Sequence, residues 1–298
     1  MHTQTTAEII ARIRKIEIHT KTLVNDIFGG EYHSLFKGQG LEFAEVREYQ
    51  AGDSYRDIDW NVSARFGTPF IKKFCETREL NVLFVLDISG SQNFGTRSML
   101  KKERLAEIAA VLSFSALSNN DKVGMVMFSD QLEKYLSPRK GRNHTLQILR
   151  DILYLEPKSQ RTSLKSAFEY ANRILKKKSI VFILSDFMDA GYDKPLQILA
   201  QKHDVIAMQI LDDAEVRLPN AGILRIIDPE SGETMYLNSS NPLIRRQYDR
   251  MVMAEQEQLQ SRLKHLKVDF LSIKSSDSYS QVLRGFFAKR RKALRNRR

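Results

Sequence analysis

Asp87, Ser89 and Ser91 stand at spacing two in the stretch NVLFVLDISGS, Asn81 to Ser91. An extended or gently turning segment keeps such side chains on one side, so a carboxylate and two hydroxyls face one point. Further along, Thr162 precedes a predicted helix, and Asp186 follows the apolar run SIVFIL. Oxygen-only donors suit a hard cation: magnesium takes near-octahedral oxygens at about 2.0–2.1 Å and keeps several waters. Manganese or calcium would serve the same donors. If the hydroxyls are neutral ligands and the aspartates act mostly through water, the charge of the ion is poorly neutralised. It then draws a carboxylate from outside, so the expected chemistry is recognition of a protein ligand that presents an Asp or Glu to the metal. Taken singly, each residue reads equally well as a cap or turn; the set of five favours the metal.

The elements that must position this set alternate strand and helix. Asn81 to Asp87 reads as a central parallel strand buried on both faces, with polar side chains at its C-terminal end, the edge where open α/β sheets bind ligands. Helix is predicted over Leu100 to Leu117, strand over Lys122 to Phe128, and a hairpin arm over Asp130 to Leu136. Helices follow at Thr145 to Leu155 and Ser163 to Lys176, then strand at Ser179 to Leu184, helix at Lys194 to Gln201 and strand at Asp204 to Leu211. A hairpin pairs Ile223 to Asp228 with Glu233 to Leu237. A long helix from Asn241 to Leu266, a strand at Lys267 to Ile273 and a helix beginning at Ser278 to Phe287 close the chain. The order implies a mainly parallel sheet flanked by helices. Regular winding carries the loops at Thr162 and Asp186 to the same edge as Asp87.

Upstream, Thr6 to Phe28 places Ile9, Ile13, Ile16, Thr20, Leu23 and Ile27 at helical spacing, capped by Thr5 or Thr6 and ended by Gly29 and Gly30. A turn-rich region follows, read as short strands. Its charged residues Arg47, Asp53, Arg56, Asp57, Asp59 and Arg65 surround the single Trp60, a composition suited to an internal ion-pair network. The chain thus divides into an N-terminal helix with a β-rich extension (1–79), an α/β domain (80–288) and a basic tail (289–298).

Composition narrows the function classes. The 298 residues are 42% hydrophobic and 28% charged, ordinary for a folded protein. The net charge of +11 is concentrated: seven of the last ten residues are basic and none acidic, leaving +4 on the other 288. Lys289, Arg290, Arg291, Lys292, Arg295, Arg297 and Arg298 could hold phosphates by counterion release or an acidic partner. No aromatic residue is interleaved for base stacking, so nucleic acid is disfavoured. One cysteine, Cys75, excludes an internal disulfide and fits a reducing compartment. No signal pattern or spanning apolar run is present, and a cytoplasmic location is the expectation. A phosphate loop, an H-E-x-x-H pair and a G-x-S-x-G elbow are all missing. The six histidines show no metal-ligand spacing. Asp189 is the one spare carboxylate near Asp186 that could serve a metal-dependent hydrolase.

The D-x-S-x-S motif with its later Thr and Asp resembles the metal-ion-dependent adhesion site of von Willebrand factor A domains. The upstream block GQGLEFAEVREYQAGDSYRDIDWNVSAR, followed by FIKKFCETREL, resembles the signature of a bacterial family, domain-of-unknown-function family fifty-eight. The resemblance implies a von Willebrand factor A-like fold and gives the metal role to Asp87, Ser89, Ser91, Thr162 and Asp186. It also implies a non-enzymatic adaptor or chaperone component acting with a MoxR-type AAA+ ATPase. Arg161 departs from the pattern, since glycine is common there in such domains.

Overall fold

The computed structural model describes residues 13–18, 20, 23–24, 42–75, 79–96, 99–227 and 232–295. They form two compact units, Lys37–Leu80 and the rest of the chain. The described residues 13–18, 20, 23 and 24 belong to the large unit. In the large unit, residues 13–18 are helical, and Ile13, Glu17, Thr20 and Val24 are buried along one face. Glu17, on that buried stripe, takes two hydrogen bonds of 2.7 Å from Arg142. The predicted caps and ends of this helix lie outside the described residues.

The small unit pairs β1 (Glu42–Glu48) with β2 (Phe70–Cys75) in antiparallel register. Between them α1 (Trp60–Phe66) starts on the Asp59 carboxylate, which accepts from the backbone of Asn61 and Val62, and ends on Gly67 at φ 73°. Seven residues between an acceptor and a left-handed glycine make a helix where only strands were expected. Arg47 and Asp53 form a bidentate pair at 2.8 Å, and this holds the Asp53 carboxyl below its usual range. Arg56, Asp57 and Arg65 are exposed, and so is Trp60, at 70%. Of the six charged residues, Arg47 pairs with Asp53 and Asp59 caps α1, while α1 turns the indole out to solvent.

The large unit is built on a six-stranded sheet in the order β10-β7-β6-β3-β4-β5. Its strands are β3 (Asn81–Asp87), β4 (Lys122–Phe128), β5 (Leu132–Arg139), β6 (Ile180–Ser185), β7 (Asp204–Leu211) and β10 (Asp269–Lys274). All pairings are parallel except β4 with β5. The helices are α2 (Lys101–Ser118), α3 (Arg142–Tyr154), α4 (Leu164–Ile174), α5 (Asp193–Lys202), the short α6 (Asp213–Val216), α7 (Pro242–His265) and α8 (Tyr279–Arg295). The hairpin β8 (Ile223–Ile227) with β9 (Thr234–Asn238) stands apart from the sheet.

Strand alternation divides the core into two layers. Leu83, Val85, Val181 and Ile183 pack with Leu164, Phe168, Leu196, Leu199 and Leu263 of α4, α5 and α7. The alternate residues include Phe84 and Phe182, stacked with ring centroids 5.6 Å apart; burying each ring contributes about 1.5–3 kcal/mol. β3 lies between β4 and β6, so the chain leaves β3 toward one side of the sheet and returns to the other. Such a reversal opens a crevice at the C-terminal ends of the strands.

Candidate metal centre

Asp87 ends β3 in that crevice and is fully buried, as is Ser89. Burial leaves the carboxylate oxygens to protein donors. The Ser89 amide donates to Oδ1 at 3.0 Å and the Ser185 hydroxyl to Oδ2 at 2.7 Å. Ser185 is the last residue of β6 and its hydroxyl also accepts from the Phe187 amide at 3.1 Å. One serine thereby fixes both the carboxylate and the turn that follows β6. After Ile88 the chain enters a 3-10 turn, Gly90–Asn93, and the Ser89 and Ser91 hydroxyls come to 3.2 Å of each other. Oxygens in adjacent positions on an octahedral magnesium are roughly 2.9 Å apart, so the pair fits a shared hard cation. Beside them Gln92 is buried and its Oε1 lacks a hydrogen-bond donor.

Asp186 follows Ser185 and is nearly buried; its Oδ1 accepts from the Met188 amide at 3.3 Å. The Thr162 loop is bound to the same edge through its backbone: the Gly90 amide donates to the Gln160 carbonyl at 2.9 Å, and the Ser163 amide to the Ser129 carbonyl at 3.0 Å. Thr162 is half-buried. All five predicted residues therefore lie at the C-terminal edge, on three loops linked by hydrogen bonds. Arg161, the departure from the expected glycine, is exposed.

Two charged groups at this edge were absent from the sequence reading. Lys101, the first residue of α2, places its ammonium 3.1 Å from Asp186 and 2.9 Å from Glu215. Burial alone would push the lysine down, but the two carboxylates hold it above its usual value. A signal existed for it: Lys101, Leu105, Ile108 and Leu112 recur at the helical period and all are buried, so the lysine falls on an apolar stripe. Glu215 was legible as the fourth residue of the capping box Asp212–Glu215. Asp189, the spare carboxylate, accepts from the Leu164 amide and the Ala190 amide, both at 2.7 Å; it secures the start of α4.

Burial, followed by the neighbouring Asp186 charge, pushes the Asp87 carboxyl up from 3.8 to about 7. A folded-state value above the unfolded one means that folding takes up a proton between the two. The associated stability is complete below the unfolded value and is lost as the pH rises through the folded one. In chelator, wild type measured against Asp87→Asn is thus expected to be relatively more stable at about pH 4 than at about pH 8 by urea denaturation. An equal difference at both ends would refute this.

A family model described as "Protein of unknown function DUF58" matches residues 45–258. The chain belongs to the DUF58 family. Uncharacterized protein Rv1480 of Mycobacterium tuberculosis is 28% identical over 291 residues, 96% of the DUF58 chain and 92% of that protein. Uncharacterized protein YeaD of Bacillus subtilis is 29% identical over 110 residues, 37% of this chain and 25% of that one. Among solved structures, BatB from Bacteroides thetaiotaomicron is 16% identical, with a TM-score of 0.45, over 72% of this chain and 99% of that one. The SpRpn10 VWA domain is 12% identical, with a TM-score of 0.40, over 71% and 95%. The DUF58 chain has a mixed α/β fold, its mostly parallel sheet flanked by helices. Among the described residues, no helix is long and apolar enough to cross a membrane.

The basic segment is helical through Arg295, since α8 continues to that residue. Arg290 is held between Asp204 and, at 2.7 Å, Asp269. Lys289 and Lys292 are exposed and Arg291 is half-buried; the side chain of Arg295, and Arg297 and Arg298 entirely, lie outside the described residues.

Proposed function

We propose that this DUF58 chain is a non-enzymatic, divalent-cation-dependent protein-interaction module that docks a partner's carboxylate at the Asp87 edge. The observation that carries the reading is the pair of serine hydroxyls 3.2 Å apart, fixed to a buried carboxylate. In this reading Ser89, Ser91 and Thr162 supply neutral oxygens to magnesium, for which manganese or calcium could substitute. Asp87 and Asp186 act through water, being already hydrogen-bonded by the protein. The ion, once bound, supplies a Lewis-acidic position for an incoming Asp or Glu. The partner we propose is a MoxR-type AAA+ ATPase, for which the chain serves as adaptor in the cytoplasm.

Two other readings draw less support. A hydrolase needs a base beside the metal, and Asp189 is spent on holding α4. A nucleic-acid factor needs its cations accessible, and Arg290 is committed to two aspartates.

Calorimetric titration of magnesium into chelator-stripped protein tests the reading, alone and with the candidate ATPase. The expected result is binding that Asp87→Ala abolishes and that the ATPase strengthens, because coupling between two ligands is reciprocal. Absence of heat with a folded wild-type chain, alone and in the mixture, overturns it.

A further inference from the structure

Lys101 has no local reason to be where it is. It is the first residue of α2, where the helix dipole disfavours a cation, and its side chain is 1% exposed. Burying an ammonium costs heavily unless it is paired. Residues that break local rules in this way are expected at functional or strained sites. Its partners are also fixed in advance. Glu215 gives Oε1 to Lys101 at 2.9 Å and accepts the Asp212 amide on Oε2 at 2.6 Å. The Glu215 carbonyl accepts from the Tyr248 hydroxyl at 3.0 Å. Asp186 offers Oδ2 to the lysine and Oδ1 to the Met188 amide. The lysine thus holds one of the carboxylates expected to serve the metal.

We infer that Lys101 is a resident counter-cation that sets the metal affinity of the site and biases the loaded site toward an acidic ligand. This rests on the metal-docking reading above and adds to it a specificity-determining residue. With Asp87, Asp186 and Glu215 ionised, Lys101 brings the cluster to a formal charge of −2, which one divalent ion neutralises. An incoming carboxylate then meets a neutral site. Without the lysine the loaded site keeps a charge of −1, so it holds the ion more tightly and repels the carboxylate. Lys101 accordingly lowers affinity for the free ion and raises the dependence of binding on an external acid. Low-dielectric surroundings make such a unit charge matter at this range.

The test measures magnesium binding to the full chain by calorimetry, with wild type, Lys101→Met, Lys101→Arg and Glu215→Gln. Lys101→Met is expected to bind magnesium about tenfold more tightly or better, Lys101→Arg within about threefold of wild type, and Glu215→Gln several-fold more weakly. The opposite signs for the methionine and glutamine variants separate an electrostatic role from a packing role. Thermal unfolding adds a second readout. Lys101→Met should gain more on adding magnesium to chelator-treated protein than wild type does, whereas a purely structural lysine would lower both midpoints equally. If Lys101→Met fails to fold, Glu215→Gln and Lys101→Arg still carry the prediction. Magnesium affinities equal across the set would overturn the inference and leave the docking reading standing. Absence of binding in wild type and in every variant would overturn that reading as well.

Discussion

A chain carrying Asp212→Ala is expected to lose about 3 kcal/mol of stability or more, read as a shift in the urea midpoint at unchanged slope. Asp212 follows β7 and caps α6; it is fully buried, and four donors converge on it. The Thr96 amide and the Ser275 hydroxyl reach Oδ2 at 3.0 and 3.2 Å. The Ala214 amide reaches Oδ1 at 2.9 Å, and the Thr96 hydroxyl donates to the same oxygen. Each donor stranded without an acceptor costs about 1–3 kcal/mol where water cannot replace it. The loss should also reach the candidate centre, because Thr96 precedes α2 and the Asp212 amide positions Glu215. Although burial pushes the Asp212 carboxyl up, the donors from Thr96, Ala214 and Ser275 win and hold it below 3.8. A lowered folded-state value gives stability that is present above the unfolded value and lost as the pH falls through the folded one. Asp212→Asn should therefore flatten the acid limb of the wild-type stability profile. An unchanged acid limb, or an alanine variant as stable as wild type, would count against this account.

The second large effect is expected at Gly124, in the middle of β4. A Cβ added there would lie 2.8 Å from the Pro138 nitrogen, 2.9 Å from the Leu136 carbonyl oxygen and 2.9 Å from Pro138 Cδ. The obstacles are backbone and ring atoms of β5, which cannot swing aside as a long side chain would. The ladder is irregular at this point, with Val123 opposite Arg139 and Met125 opposite Leu136. Gly124 faces the bulge that Pro138 makes on the edge strand. Gly124→Val is expected to cost at the top of the roughly 1–3 kcal/mol typical of overpacking, or beyond it, with Gly124→Ala intermediate. A valine variant within experimental error of wild type in urea would show that β5 yields freely at its edge.

These two positions illustrate what the sequence could and could not disclose. KVGMVMF reads as a strand, and a glycine inside a strand announces a bulge or a close approach; Pro138 then belongs to an edge. The strand NVLFVLD was legible because a parallel strand buried on both faces must be apolar almost throughout, and six of its seven residues are buried. Asp87, Ser89 and Ser91 were legible because period-two spacing holds over a few residues. Lys101 showed only its place on an apolar stripe; its role was hidden, because that depends on Asp186 and Glu215, 85 and 114 positions away. Ser185 escaped for a related reason: a hydroxyl at a strand end looks like a turn residue until Asp87 is known to lie 2.7 Å from it. The helix α1 was missed because seven residues give too little periodicity to register, though Asp59 and Gly67 mark both of its ends.

Arg290 gives α8 a mechanical character. The helix begins at Tyr279, whose ring lies under the Arg104 guanidinium near the start of α2, at the end of the molecule that carries Asp87. Eleven residues later Arg290 is tied to Asp204 and Asp269, the first residues of β7 and β10, and so to the opposite end. The helix is thus a strut as long as the strands, anchored at both edges of the sheet. A pull applied between the Asp87 edge and the Arg290 anchor would run along the strands. Load in that direction shears the parallel ladders of β3, β6 and β7 together and does not unzip them bond by bond.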